Sequence, residues 1–124
     1  MKIDNYKLGD LLVKIIDNRG KTPPYSGEGD VELIETASLV GNNKFPDYNL
    51  VTKYVDQDTF NTWFRSGHPI KDDILIATVG VNIGNVVIMR ENRGCIAQNL
   101  VGFRPNIKII SPHFLYYFLS WDRT

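Results

Sequence analysis

Cysteine and histidine are scarce in this sequence. Cys95 is the single cysteine, and His68 and His113 are the only histidines. One cysteine excludes an intrachain disulfide and a cysteine-based zinc cluster. It is typical of a protein from a reducing compartment.

Long apolar runs are also missing. The residues after Met1 contain no apolar stretch that could serve as a signal peptide, and the longest apolar run covers only residues 114–119. A membrane span needs about 20 apolar residues. We therefore expect a cytoplasmic protein with no membrane association.

An excess of charge of either sign is absent as well. Lys plus Arg is 14 and Asp plus Glu is 14, so the formal net charge is zero. This balance excludes a protein that coats nucleic acid by bulk electrostatic attraction, because such binding needs many uncompensated cations. It leaves binding through a local basic patch open.

What is present indicates one soluble globular domain. The chain has 124 residues, of which 43% are apolar and 23% charged. This length builds one hydrophobic core but not two. The composition is that of a folded chain rather than a disordered one.

Apolar spacing predicts the elements of the first half. Leu8, Leu11, Leu12, Ile15 and Ile16 follow the spacing of one helix face, so we predict an N-terminal helix that stops near Asn18. Glycine and proline then predict a loop over residues 18–30. A strand is predicted over residues 31–35, and a capped helix with aromatic residues facing inward over residues 56–64.

The second half reads as a hairpin followed by extended chain and a helix. We predict strands over residues 74–79 and 86–89 around the turn 80–85, and extended chain over residues 95–103. Ser111 and Pro112 predict the start of a C-terminal helix. Its stripe of helical spacing is predicted to face the core and consists of Phe114, Tyr117, Phe118 and Trp121.

Residues for catalysis or metal binding are not grouped in the sequence. Nothing local ties either histidine to Cys95, which we expect to be a core residue. No Asp or Glu has a lysine two residues later, as a nuclease centre would. Asp72 and Asp73 are read as a solvated turn before a strand. We predict no catalytic residue, no metal and no cofactor.

One short motif keeps an enzymatic alternative open. Thr22-Pro23-Pro24-Tyr25 resembles the motif with which amino-methyltransferases hold a flipped base. Such an enzyme also needs a strand, a glycine loop and a helix for its cofactor, and no segment at a sensible distance provides them. A rigid Pro-Pro turn is the favoured interpretation, and a methyltransferase fragment is the minor alternative.

The polar residues are of the types that read DNA. The chain has 11 Asn and 2 Gln, many of them in predicted turns. Asn and Gln pair with adenine edges and Arg pairs with guanine in the major groove. Candidate cations for phosphate or guanine contacts are Arg19, Lys21, Arg65, Arg90, Arg93 and Arg104.

The order of several segments carries a resemblance over nearly the whole chain. They are residues 6–11, 18–25, 54–63, 72–76, 80–85, 98–100, 104–105 and 112–118. In this order they resemble a target recognition domain of the specificity subunits of type I restriction-modification systems.

The resemblance implies a mixed α/β fold with a bent, mostly antiparallel sheet, an N-terminal helix and a C-terminal helix. It implies a non-catalytic module that reads one half of a bipartite double-stranded DNA target. Methylation and cleavage then belong to partner methyltransferase and restriction subunits.

The resemblance also frames the domain organisation. We expect residues 1–124 to form a single target recognition domain without the spacer helices of the family. An excised domain, a truncated product and a half-subunit are all consistent with this, and assembly with a methyltransferase depends on those helices being supplied.

Two loops carry the predicted DNA contacts. The loop 18–30 contributes cations and hydroxyls, from Arg19, Lys21, Thr22, Tyr25 and Ser26. The turn 80–85 contributes the side-chain amides of Asn82 and Asn85. The alternative function is a protein-interaction or decoy module without DNA reading, with homo-oligomerisation through the aromatic stripe if that stripe is exposed.

Overall fold

A four-stranded antiparallel sheet organises the fold. The computed structural model describes residues 2–3 and 6–122. The strand order is β3-β9-β6-β7, and the strands are β3 (Leu12–Ile16), β6 (Ile74–Ala77), β7 (Val86–Ile88) and β9 (Leu100–Pro105). β9 pairs with both β3 and β6, so it lies inside the sheet.

Two smaller sheets complete the strand inventory of the described residues. One has the order β5-β4-β8, with β4 antiparallel to β5 and parallel to β8. The other is the pair β1-β2. The strands are β1 (Lys2–Ile3), β2 (Tyr6–Lys7), β4 (Val31–Ile34), β5 (Tyr54–Val55) and β8 (Cys95–Ile96).

The described residues also form two α-helices and three short 3-10 helices. Helix α1 (Gln57–Thr62) begins at Asp56, whose Oδ1 accepts a hydrogen bond from the Thr59 amide at 2.8 Å. Helix α2 is Pro112–Asp122. The 3-10 turns are Leu8–Leu11, Thr36–Ser38 and Tyr48–Leu50. Within the described residues, neither helix is long enough to cross a membrane.

The core has three apolar clusters. The first joins the two larger sheets, with Ile16 and Leu75 from one and Ile34 and Ile96 from the other, all fully buried. The second packs α2 against the four-stranded sheet. The third surrounds Phe64 and the buried Cys95. Close packing in these three clusters fixes the strand ends that carry the loops.

The predicted N-terminal helix is wrong over most of its length. Residues 8–11 form a 3-10 turn, and residues 12–16 form β3, which pairs with β9. Leu11 and Ile16 are buried, whereas Val13 and Ile15 are exposed. The i, i+3, i+4 spacing is present, but pairing with β9 prevails over it, and β-branched residues suit a strand.

The predicted inward stripe of α2 is wrong for three of its four residues, and only Phe118 is half-buried against the core. Phe114, Tyr117 and Trp121 are 52%, 57% and 82% exposed. The buried face consists of Leu115, Tyr116 and Leu119. Apolar residues occupy both faces of this helix, so spacing alone could not show which face packs on the sheet.

The remaining elements follow the predictions closely. The strand at residues 31–34, the capped helix α1, the β6–β7 hairpin and the start of α2 are confirmed. Of the α1 aromatics predicted to face inward, Phe64 is buried and Phe60 and Trp63 are half-buried. The fold class, mixed α/β with antiparallel sheets, is confirmed.

Candidate nucleic-acid interface

The sheet topology brings both predicted DNA-binding segments to one end of the four-stranded sheet, here named the loop end. β3 and β6 finish at this end, whereas β7 and β9 begin there, because neighbouring strands are antiparallel. The loop after β3 holds the predicted cations, and the turn 80–85 joins β6 to β7. Segments about 60 residues apart in sequence therefore extend from the same end of the sheet.

A cleft opens beside the loop that follows β3. Its volume is about 400 Å³, and it lies between this loop and the residues after α1. It is lined by Asp17, Asn18, Arg19, Gly20, Lys21, Trp63 and Arg65. Three cations and one carboxylate face this cleft, so the local charge is positive although the chain is neutral.

Asn18 attaches the loop after β3 to the residues after α1 and to β8. Its buried side chain donates hydrogen bonds to the carbonyls of Gly67 at 3.0 Å and Ile96 at 3.2 Å. Its Oδ1 accepts a hydrogen bond from the Ser66 amide at 2.8 Å. An amide that makes three bonds to three separate backbone groups holds the cleft walls in one arrangement.

Two further side chains hold the same loop. The Ser66 hydroxyl accepts a hydrogen bond from the Asp17 amide at 2.9 Å and donates to the Ile15 carbonyl at 3.2 Å. Gln98 Oε1 accepts a hydrogen bond from the Gly20 amide at 3.0 Å. Gly20 has a φ of 112°, a conformation that a residue with a side chain rarely adopts. The cleft is therefore ordered before any ligand binds.

Arg19 forms an ion pair with Asp17 in this loop. Its Nε and Nη2 donate to the two carboxylate oxygens at 2.9 and 2.8 Å. These hydrogen bonds from Arg19 lower the pKa of the Asp17 carboxyl and raise the pKa of Arg19. Both groups are exposed, so the pair is weak and can open. In the free chain, Arg19 contributes little uncompensated charge.

The other candidate cations differ in whether they have a partner within the protein. Arg93 donates to Glu32 at 2.6 Å, and Arg104 donates to the buried Asp73 at 2.9 Å. Arg90 lies 4.5 Å from the centroid of the Phe45 ring. Lys21 and Arg65 are exposed, and their charged groups make no hydrogen bond or ion pair within residues 7–121. Both line the cleft, which makes them its available cations.

Thr22, Tyr25 and Ser26 extend the surface in different ways. Thr22 lines a second cleft of about 230 Å³ together with Gln98 and Asn99. Tyr25 is half exposed, and the Lys53 ammonium lies 4.8 Å from its ring centroid. The Ser26 hydroxyl donates to the Glu28 carbonyl within its own turn. Thr22 and Tyr25 are open to a ligand, whereas the Ser26 hydroxyl proton is engaged.

Asn82 and Asn85 are directed into the protein. Asn82 Nδ2 donates to the Thr36 carbonyl at 3.1 Å, and Asn85 Nδ2 donates to the Leu39 carbonyl at 2.8 Å. Asn85 is buried. These amides therefore attach the turn 80–85 to the 3-10 turn at Thr36–Ser38 and the residue after it. The Nδ2 groups of both residues therefore serve the fold.

The predicted site residues omit four side chains that the structure brings to the loop end. Trp63 and Arg65 line the first cleft, and Gln98 and Asn99 line the second. Arg65 is among the cations counted in the sequence, but nothing local indicates that it meets Lys21. Asn99 has a φ of 69°, which marks a tight turn before β9.

The residues considered for catalysis have structural partners. Cys95 is fully buried, and burial raises the pKa of its thiol to about 12. Asp73 is buried and accepts hydrogen bonds from Arg104 and from the Ile70 amide, each at 2.9 Å, so the predicted solvated turn is wrong for this residue. Among the residues with described side chains, no group of three His, Cys, Asp or Glu could hold a metal ion.

The fold is similar to that of part of the specificity subunits of type I restriction-modification (R-M) systems. The matching solved chains are HsdS specificity subunits. One belongs to a structure that describes complex assembly and conformational transition of the type I R-M system, with a TM-score of 0.62 and 21% identity. Another is the HsdS subunit from Thermoanaerobacter tengcongensis, with a TM-score of 0.62 and 20% identity.

The match covers 92% of this chain but only 26% of each solved chain. No family model matches the sequence, and no curated protein matches it. At this level of identity the likeness establishes the fold alone. The resemblance noted in the sequence is confirmed at that level.

Proposed function

We propose that this chain is a sequence-specific double-stranded DNA recognition module of a type I R-M system. It reads one half of a bipartite target, acts without catalysis, and depends on methyltransferase and restriction subunits for chemistry. The observation that carries the proposal is the loop-end cleft. There Lys21, in the loop after β3, and Arg65, after α1, are two exposed cations without protein partners in the described chain, and Asn18 joins the two walls that carry them.

The arrangement suits DNA for two physical reasons. Phosphate contacts by lysine and arginine fix the register of a protein on the duplex, whereas base contacts supply specificity. Thr22, Gln98 and Asn99 border the neighbouring cleft with groups that hydrogen bond to phosphates or base edges. Because the Asn18 contacts already hold the loop, binding costs little loop-ordering entropy.

Zero net charge fits a module that works within a larger assembly. Two available cations release few counterions, so the nonspecific DNA affinity of this chain should be low. Partner subunits would add the remaining phosphate contacts, and we propose that the chain acts in the cytoplasm with them. Spacer helices would have to be supplied for that assembly.

Selection from a random duplex library tests DNA reading directly. The chain is incubated with the library at about 50 mM salt, where phosphate contacts are strong, and bound duplexes are amplified and sequenced over several rounds. We expect one short motif to be enriched. Bound pools with the same sequence distribution as the input library would contradict the proposal.

Salt dependence then tests whether the cleft makes the phosphate contacts. The double variant Lys21→Ala/Arg65→Ala should reduce the slope of log K against log[salt] by about 2, since each phosphate contact contributes about 0.9. Lys71→Ala/Lys108→Ala is the matched control, with the same charge change on exposed lysines beyond the opposite end of the sheet. Equal slopes for the two variants would remove the cleft from the interface.

The exposed aromatic face of α2 favours a second role, docking of a partner chain. Phe114 and Tyr117 are more than half exposed, with rings next to the packed face of the helix. Contiguous exposed apolar groups mark interaction surfaces. Light scattering of the wild type and of Phe114→Ser/Tyr117→Ser at two concentrations tests self-association; equal monomer masses throughout would exclude a homo-oligomer through this face.

A further inference from the structure

The turn between β6 and β7 presents an apolar tip. Val81 is fully exposed at 101%, and Ile83 and Val79 are 59% and 47% exposed. Residues 79–85 contain no charged side chain. Exposure of valine and isoleucine to water is unfavourable, and contact with another apolar group lowers their free energy.

The tip is held rigidly. Gly80 and Gly84 adopt φ values of 89° and 84°. The Ile83 amide donates to the Gly80 carbonyl at 3.1 Å, and the Gly84 amide donates to the Ala77 carbonyl at 2.9 Å. Together with the Asn82 and Asn85 side chains, these bonds direct the amides inward and the apolar side chains outward. A rigid tip loses little entropy when it meets a ligand.

The tip lies at the loop end of the sheet, on the same side as the cationic cleft. The cationic loop follows β3, and the tip joins β6 and β7, two and three positions away in the sheet order. Strand spacing puts the strand ends that carry the loop and the tip about 10 to 14 Å apart, close to the width of the DNA major groove at about 12 Å. With Lys21 on a phosphate at the groove edge, the tip would reach base edges inside the groove.

We propose that Val81 is a specificity-determining residue that contacts a thymine 5-methyl group in the major groove. This inference rests on the proposed DNA-reading function. The major groove admits a two-stranded β-ribbon, and the thymine methyl is the apolar group that its base edges offer. The tip is uncharged and exposes Val81, while the side-chain Nδ2 groups of Asn82 and Asn85 donate to backbone carbonyls, so its outermost group matches the thymine methyl.

The test uses the duplex enriched by the wild-type chain and the same duplex with deoxyuridine in place of each thymine in turn. Removing one buried methyl should weaken binding about four-fold at one position, the equivalent of ~0.8 kcal/mol. Val81→Ala should weaken binding to the thymine duplex to a similar extent, and its affinity should no longer depend on that methyl. Val13→Ala, at an exposed valine within β3, is the matched control and should bind like the wild type.

The outcomes separate this inference from the function on which it rests. Without an enriched motif, both fail. With an enriched motif but no thymine in it, or with Val81→Ala still losing affinity on removal of the methyl, the Val81 assignment fails and DNA reading stands. A Val81→Ala chain that changes its oligomeric state but not its DNA affinity would assign the tip to protein contact and overturn the inference.

Discussion

The two ends of the four-stranded sheet use similar residues in opposite ways. At the loop end, Lys21 and Arg65 line an open cleft and lack protein partners among the described residues. At the opposite end, where β6 begins and β9 finishes, Arg104 is held by both oxygens of Asp73. Asp73 is buried, so this pair is part of the fold.

The difference shows that the residue type does not decide whether a cation is available for binding. A buried carboxylate commits Arg104 to the structure, because a buried charge must be paired. The same reasoning applies to amides, since Asn18, Asn82 and Asn85 support the loops while their neighbours face outward. Substitutions at Asp73 and Asn18 should therefore lower the free energy of unfolding, whereas substitutions of exposed charges at the loop end should alter DNA binding.

The largest expected effect is at the buried ion pair. Asp73→Ala should lower the free energy of unfolding by about 3 to 5 kcal/mol, because it leaves Arg104 without its carboxylate. Urea denaturation measures this. Glu35→Ala removes a carboxylate from the more exposed pair with Lys53 and should cost at most about 1 kcal/mol. Similar losses for the two variants would contradict the structural role of Asp73.

The next largest effect is at Asn18. Asn18→Ala removes three hydrogen bonds and should lower the free energy of unfolding by about 2 to 3 kcal/mol, since buried backbone groups lose their partners. Asn92→Ala, which removes one exposed bond to the Lys71 amide, is the control and should cost less than about 1 kcal/mol. An Asn18 variant as stable as the control would mean that the Asn18 hydrogen bonds do not hold the cleft walls together.

A smaller effect is expected when Arg19 is released. Asp17→Asn removes the carboxylate that pairs with Arg19 and adds one unit of positive charge beside the cleft. DNA affinity should rise about two- to three-fold at low salt, the size typical of one exposed charge, and the gain should shrink as salt screens it. Glu91→Gln, the same charge change after β7, should raise affinity less in the same binding titration.

The smallest expected effect is a pH dependence from His68. Burial lowers the pKa of His68, whose Nε2 donates to the Phe60 carbonyl at 2.6 Å. The unfolded chain therefore takes up the proton first as pH falls through about 6.5, so stability decreases below that pH.

Urea midpoints at about pH 7.5 and about pH 5.5 measure this linkage in the wild type and in His68→Gln. The variant should lose part of the pH dependence, because glutamine keeps a donor for Phe60 but does not titrate. A steeper pH dependence in His68→Gln would show that His68 is not buried as a neutral ring.

Local chemistry was sufficient to predict several elements. Asp56 caps α1 through a contact three residues away, and Pro112 begins α2 as a residue with a preset φ. The β6–β7 hairpin follows from two apolar runs around glycines. Each signal lies within a few residues of the structure it specifies. The loop with Arg19 and Lys21 was predicted in the same way.

Contacts distant in sequence decided the rest. β3 has helical spacing but takes its conformation from β9, and α2 is apolar on both faces, so the sheet selects Leu115 and Leu119 for burial. Arg65 lines the same cleft as Lys21 only because Asn18 and Ser66 bring the residues after α1 to the β3 loop. No pattern within a short window contains this information.

The sequence by itself determined the neutral charge, the absence of an intrachain disulfide, the strands β4, β6 and β7, both α-helices and the order of segments that resembles a target recognition domain. The tertiary structure alone decided which cations are available, which asparagines donate to backbone carbonyls, and that the exposed Val81 lies at the same end of the sheet as the cleft. The reason is physical: propensity and capping act along the chain, whereas burial and charge pairing depend on partners that only folding brings together.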